Sequence, residues 1–145
     1  RASAHRCADL IMPATDTPSA LAAGVGGFMD YVTSVWLQRS ELEDLLAGLD
    51  GLQQQGQRQY SKDFVRLDEA EQVQLLTQME SADSAASFWG LGAGHSKAFE
   101  RLKELTVVGY YFSEVGTKQE RRYVPMPGHY DGYYKLSEVG KQWSS

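Results

Sequence analysis

A mainly α-helical fold, a small bundle followed by an irregular, aromatic-rich C-terminal tail, follows from three features of the chain. Apolar residues recur at helical spacing in successive segments, capping patterns and Gly or Pro separate those segments, and the periodicity fades from Ser113 onward. With 145 residues, 42% of them hydrophobic and 23% charged, the chain has the size of one domain that buries its own core. The expected organisation is a single domain over 1–145, with a helical core over about 1–112 and an extended segment over about 113–145.

Residues Ala2 to Met12 favour helix, and Pro13 ends the run because it lacks an N–H and restricts the residue before it. A loop through Asp16, Thr17 and Pro18 follows. Phe28, Tyr31, Val32, Val35 and Trp36 stand at i, i+3, i+4, i+7 and i+8, which places them on one face of a helix beginning after Gly26-Gly27 and ending near Ser40. Ser40 and Glu43 have the S-x-x-E spacing of a capping box, and Leu42, Leu45, Leu46, Leu49 and Leu52 continue as an apolar stripe of a helix over 41 to about 55.

Phe64 and Leu67 begin a short helix, and Asp68 with Glu71 repeats the capping spacing before a buried face of Val73, Leu75, Leu76 and Met79. The stretch from Ser81 to Gly94 is rich in Ser, Ala and Gly, and Ser96 is placed to cap a helix carrying Phe99, Leu102, Leu105 and Val108 that weakens at Gly109. From Ser113 to Ser145 the chain reads as an extended tail laid over a surface, with a short strand at Arg121 to Val124.

Composition excludes several functions. Fourteen Lys and Arg against 19 Asp and Glu give a net charge of -5 with no long basic run, so nucleic acid is not an expected partner. No stretch approaches the ~20 consecutive apolar residues of a spanning helix. Cys7 is the single cysteine, so neither an internal disulfide nor a cysteine-based zinc or haem site can be built from this chain alone. The first residue is Arg1 rather than Met, which reads as a processed or trimmed chain from which any export signal is gone.

No motif points to chemistry within the chain, and no catalytic, cofactor-binding or metal residue is expected. Gly90-Leu91-Gly92-Ala93-Gly94 has His95 in the third-glycine position of a dinucleotide fingerprint and no strand pattern before it, so it reads as a turn. His5, His95 and His129 lack the spacing that puts two ligands on one helix face. No G-x-S-x-G elbow or comparable nucleophile signature occurs, and the carboxylates sit beside caps or on polar helix faces.

The tail is where side chains call for a partner. Tyr110, Tyr111, Phe112, Tyr123, Tyr130, Tyr133 and Tyr134 fall within 25 residues that have little periodicity. Two roles stay open for them: packing on the chain's own helices, or anchoring another protein, for which Tyr supplies large rigid contact area. The candidate interface residues are therefore Tyr110, Tyr111, Tyr123, Pro127, His129, Tyr130, Tyr133 and Tyr134.

Two segments carry a family resemblance. Leu10-Ile11-Met12-Pro13-Ala14-Thr15-Asp16-Thr17-Pro18-Ser19-Ala20, followed by Ala23-Gly24-Val25 and Phe28, is the first. The second is Phe99, Leu102-Lys103-Glu104-Leu105-Thr106-Val107-Val108-Gly109-Tyr110-Tyr111, Ser113-Glu114 and Gly116, continuing to Tyr123, Pro127-Gly128, Tyr130 and Gly132. Together they resemble the gluconate 2-dehydrogenase subunit 3 family over nearly the whole chain. Where this family often has Cys after the glycine of the last motif, the chain has Tyr133, so no cysteine-mediated role is carried onto the tail.

The resemblance implies a non-catalytic accessory subunit, often made with a twin-arginine export signal and therefore periplasmic. Its implied partner is a large FAD-containing catalytic subunit of the glucose-methanol-choline oxidoreductase type, oxidising a sugar or sugar acid. A multihaem cytochrome c carrying haem c commonly completes such complexes. Two alternatives stand beside this reading: a subunit that donates His129 or Tyr130 into the partner's substrate site, as in a glucoside 3-dehydrogenase-like complex, and an unrelated helical adaptor sharing the scaffold.

Overall fold

The computed structural model describes residues 1–88, 97–125, 128, 133 and 135–144, and of 82–88, 136, 139 and 144 the backbone alone. The elements in order are α1 (Ala2–Ile11), α2 (Val25–Val35), α3 (Arg39–Tyr60), a 3-10 turn (Phe64–Arg66), α4 (Glu69–Phe88), α5 (Ala98–Phe112), a π-helical turn (Gly116–Glu120), β1 (Arg122–Tyr123), α6 (Leu136–Val139) and β2 (Trp143–Ser144). The mainly α architecture is the one expected.

The bundle is organised around α5, which packs against α1, α2, α3 and α4. Phe99, Leu102, Leu105, Gly109 and Tyr110 of α5 are buried and meet Cys7 and Ala8 of α1, Val25 and Met29 of α2, Leu45 and Leu52 of α3, and Leu75 and Leu76 of α4. Each large side chain of this set removed from water stabilises the fold by about 1.5–3 kcal/mol. Thr106, also fully buried, satisfies its hydroxyl by donating to the Leu102 carbonyl one turn back, at 2.7 Å.

Polar ties hold the outer helices. The Arg6 guanidinium of α1 donates to Gln72 Oε1 at 2.7 Å and to Glu69 at 3.0 Å. Gln72, itself buried, donates onward to the Phe64 carbonyl at 2.9 Å. The predicted cap of α4 forms reciprocally: the Glu71 N–H donates to the Asp68 carboxylate at 2.8 Å and the Asp68 N–H to the Glu71 carboxylate at 3.1 Å.

Several boundaries differ from the sequence reading, each for a local reason. Helix α2 begins at Val25, before the glycine pair, because Gly24 adopts a left-handed φ of 82° that starts the helix there. Gly26 sits inside it beneath the His5 ring, where a Cβ would come within 3.1 Å of ring atoms. Helix α3 starts at Arg39, so Ser40 lies within it rather than capping it; the Gln38 N–H donates to Glu41 at 3.0 Å, and Glu43 pairs with Arg39 at 2.9 Å. The helix runs past 55 to Tyr60, where Ser61 at φ 57° stops it.

The Ser- and Ala-rich stretch does not break α4, whose backbone continues to Phe88, because alanine is the strongest helix former. Val73 faces outward rather than into the core. Helix α5 passes Gly109 and ends at Phe112. The expected cap Ser96 and the Gly90–Gly94 turn lie outside the described residues.

The described residues after α5 begin at Ser113. A π-helical turn follows, and β1 pairs with β2 in parallel, with the Arg122 N–H donating to the Gln142 carbonyl at 2.8 Å. The strand expected at Arg121 to Val124 is thus present at Arg122–Tyr123.

Candidate partner interface

The four described tail residues, Tyr110, Tyr111, Tyr123 and Tyr133, separate once the chain folds. Tyr110 is 2% exposed, and its hydroxyl stands 3.0 Å from Thr17 Oγ1 and 3.0 Å from the Pro18 carbonyl. It belongs to this chain's own core. The half-buried Tyr111 ring meets the Tyr110 ring edge-on at a centroid separation of 5.6 Å. The Arg121 guanidinium covers it 5.3 Å from the centroid and donates to the Tyr111 carbonyl. Tyr123, on β1, and Tyr133 are exposed. Pro127, His129, Tyr130 and Tyr134 lie outside the described residues.

A second set of rings faces solvent elsewhere. The stripe read for α2 does form one face, but only its edge touches the bundle: Tyr31, Val35 and Trp36 are 59%, 62% and 76% exposed, while Val25 and Met29 are the residues turned into the core. The physical reason is the position of Gly109. Its missing side chain lets α2 settle on α5 through Val25 and Phe28, since a Cβ there would stand 2.6 Å from the Phe28 ring and 3.2 Å from Val25. That rotation carries Tyr31 and Val35 outward.

Helix α5 also carries exposed apolar side chains. Val108 and Phe112, one residue before and three after Gly109, are 39% and 79% exposed. The sequence signal for Val108 pointed inward, and Phe112 was indistinguishable from the tail rings. Periodicity identifies which residues share a face but not whether that face has a partner.

Sites for chemistry are sparse in the described residues. His5 Nε2 lies 3.3 Å from the Asp30 carboxylate, a link between α1 and α2; His95 and His129 are outside the described set. No group of three or more His, Cys, Asp or Glu able to hold a metal occurs among the described residues. A cleft of about 220 Å³ between α1, α4 and α5, lined by Leu10, Ile11, Val73, Leu76, Phe99 and Lys103, is below the ~300–1,000 Å³ of small-molecule and cofactor pockets. Cys7 is fully buried, and burial pushes its thiol up to about 12, opposed in part by the Arg6 charge. Such a thiol is shielded from a disulfide with another chain.

The family model for gluconate 2-dehydrogenase subunit 3 matches residues 1–128 of the 145. The chain belongs to the gluconate 2-dehydrogenase subunit 3 family. No curated protein and no solved structure matches it. Family membership places the chain among accessory subunits of dehydrogenase complexes, and the matched region covers the whole bundle, the π-helical turn and β1. Among the described residues no helix of this family member is long and apolar enough to cross a membrane.

Proposed function

We propose that this chain is the non-catalytic small subunit of an exported, FAD-dependent dehydrogenase complex of the glucose-methanol-choline type that oxidises a sugar or sugar acid. The observation that carries the reading is the family match over residues 1–128. In this role the chain covers apolar surface on the large flavoprotein. Because it binds the folded partner and not the unfolded one, it favours folding and flavin retention by mass action, by about 2.7 kcal/mol at a hundredfold excess over Kd. The hydride chemistry belongs to the flavin in the partner, and a multihaem cytochrome c would take the electrons.

Export follows from assembly. A partner without its own signal would cross the membrane already bound to this subunit, whose twin-arginine signal would direct both to the periplasm. Tyr31 and Val35, one turn apart on α2 and both exposed, support a partner-binding role, since exposed apolar surface of this kind marks an interaction site.

The test is co-expression of the affinity-tagged chain, with its export signal, beside the flavoprotein encoded next to it, followed by an absorbance spectrum of the purified material. A yellow co-purifying protein with sugar-dependent dye reduction is the expected result. A colourless lone chain would transfer the reading to the adaptor alternative.

A further inference from the structure

We infer that residues 113–123 form a latch: they swing from the helical bundle as a unit about Ser113, and Glu120 at the far end couples that movement to the loop ahead of α2.

Polar contacts, not apolar burial, hold this segment down. Of its large apolar side chains, Val115 is half-buried at the edge of the core and Tyr123 is exposed. The Arg121 guanidinium reaches α5 by donating to the Tyr111 carbonyl and covering that ring at 5.3 Å from the centroid. Its Nε is buried without an acceptor among the described residues, a cost borne only in the closed position. Two further ties run to the end of the chain and not to the bundle. The Lys141 ammonium donates to the Gln119 carbonyl, and the Arg122 N–H to the Gln142 carbonyl at 2.8 Å. Helix α5, by contrast, buries Phe99, Leu102, Leu105 and Tyr110. Elements with few buried apolar side chains open at a free energy below that of global unfolding.

The two ends of the segment give the movement a hinge and a catch. Ser113 is extended, at φ -72° and ψ 164°, between α5 and the turn that follows, and hinged motions are absorbed at such element-terminal residues. At the other end Glu120 accepts the Thr17 hydroxyl at 3.0 Å. Thr17 is buried, and its carbonyl accepts the Thr15 N–H at 3.0 Å, so the catch reaches the backbone of the loop. A bond to a carboxylate is stronger than one between neutral groups. When the latch lifts, Thr17 keeps only the neutral contact with Tyr110, which stays with α5. The position of the latch thereby sets how firmly the entry to α2 is held, with the bundle itself unchanged.

Native-state hydrogen exchange of the full chain, read by NMR at increasing denaturant below the unfolding transition, tests this. The Thr117, Arg121 and Arg122 amides report on the latch through their bonds to the Ser113, Gly116 and Gln142 carbonyls, and the Thr15 amide reports on the loop. The expected result is one shared opening for these four amides, at least tenfold more populated than the opening that exposes the Thr106 amide of α5, and with a shallower denaturant slope because less surface is exposed. Glu120→Ala is expected to raise that shared opening about tenfold, and by less than twofold when Thr17→Val is already present, because both substitutions remove the same bond. If Glu120→Ala loses its helical circular dichroism, Glu120→Gln replaces it, with an expected rise of about threefold.

Latch amides that follow the Thr106 amide in rate and slope would show a single cooperative unit and overturn the inference. So would a Thr15 amide left unchanged by Glu120→Ala while the latch amides accelerate, because the coupling to the loop would then be absent. A full effect of Glu120→Ala in the Thr17→Val background overturns the assignment of Glu120 as the catch.

Discussion

Tyr110 and Thr17, 93 positions apart, are joined at 3.0 Å inside the protein: the phenol shares its proton between Thr17 Oγ1 and the Pro18 carbonyl, and the Thr17 hydroxyl donates to Glu120 at 3.0 Å. One chain of hydrogen bonds therefore fastens the loop ahead of α2, the central helix and the π-helical turn together.

Tyr110→Phe removes the middle of that chain and leaves the buried Thr17 hydroxyl and the half-buried Pro18 carbonyl without that donor. An unpaired buried acceptor costs about 1–3 kcal/mol. The expected outcome is a drop of that size in the urea-derived stability of the isolated chain with an unchanged m-value; a loss below a few tenths would show that water replaces the phenol without cost.

Gly116 allows the turn after α5 to fold back on the helix. A Cβ there would stand 2.1 Å from the Tyr110 carbonyl oxygen and 2.7 Å from Tyr111 Cα, both backbone. No side-chain adjustment relieves that overlap, so Gly116→Ala must displace the turn, at a cost of about 1–3 kcal/mol or more. Thermal unfolding should show a Tm lowered by several degrees. Gly27, with no heavy atom within 4 Å of its would-be Cβ, should accept Ala without such a loss.

The two S/D-x-x-E patterns make a paired test of capping. Asp68→Ala removes an acceptor used by the Glu71 N–H and should cost about 1 kcal/mol. Ser40→Ala, at a position inside α3, should be neutral or slightly stabilising, because alanine is the better helix former. Equal losses at both positions in chemical denaturation would refute the observed start of α3.

Cys7 gives a pH signature. Its folded pKa is raised from 9.0 to about 12, so the folded state holds the proton longer than the unfolded one. The contribution is intact below pH 9 and is lost as pH rises from about 9 toward 12, with a limiting slope of about 1.4 kcal/mol per pH unit from this group. Cys7→Ala should flatten the alkaline arm of the stability profile by up to that slope, measured between pH 9 and 11. A thiol reagent at pH 8 should modify Cys7 only after unfolding, at the rate of global opening.

Much of the bundle could be read from local signals. Pro13 stops α1, Asp68 with Glu71 starts α4, and Phe99, Leu102 and Leu105 line the buried side of α5, because each depends on groups within one or two helical turns. The helix starts misplaced by the sequence reading depended on backbone conformation that composition leaves undetermined: a left-handed Gly24, and Gln38 N–H rather than Ser40 taking a carboxylate. The tail rings were legible as a cluster but not as a unit; Tyr110 was a core residue and Tyr123 a surface one, since burial depends on where the chain returns and not on spacing.

By itself the sequence determined the helical class, the family and the set of side chains on each helix face, because those follow from periodicity, capping chemistry and motif residues along the chain. Tertiary structure alone decided which apolar faces meet. The Tyr31, Val35 and Trp36 face of α2 has the same spacing as a core stripe, yet the gap left by Gly109 admits Val25 and Phe28 against α5 and turns those three residues to water. A helix presents its apolar face according to local order, whereas the neighbour that covers it, or the absence of one within the chain, is set by contacts between residues far apart in sequence.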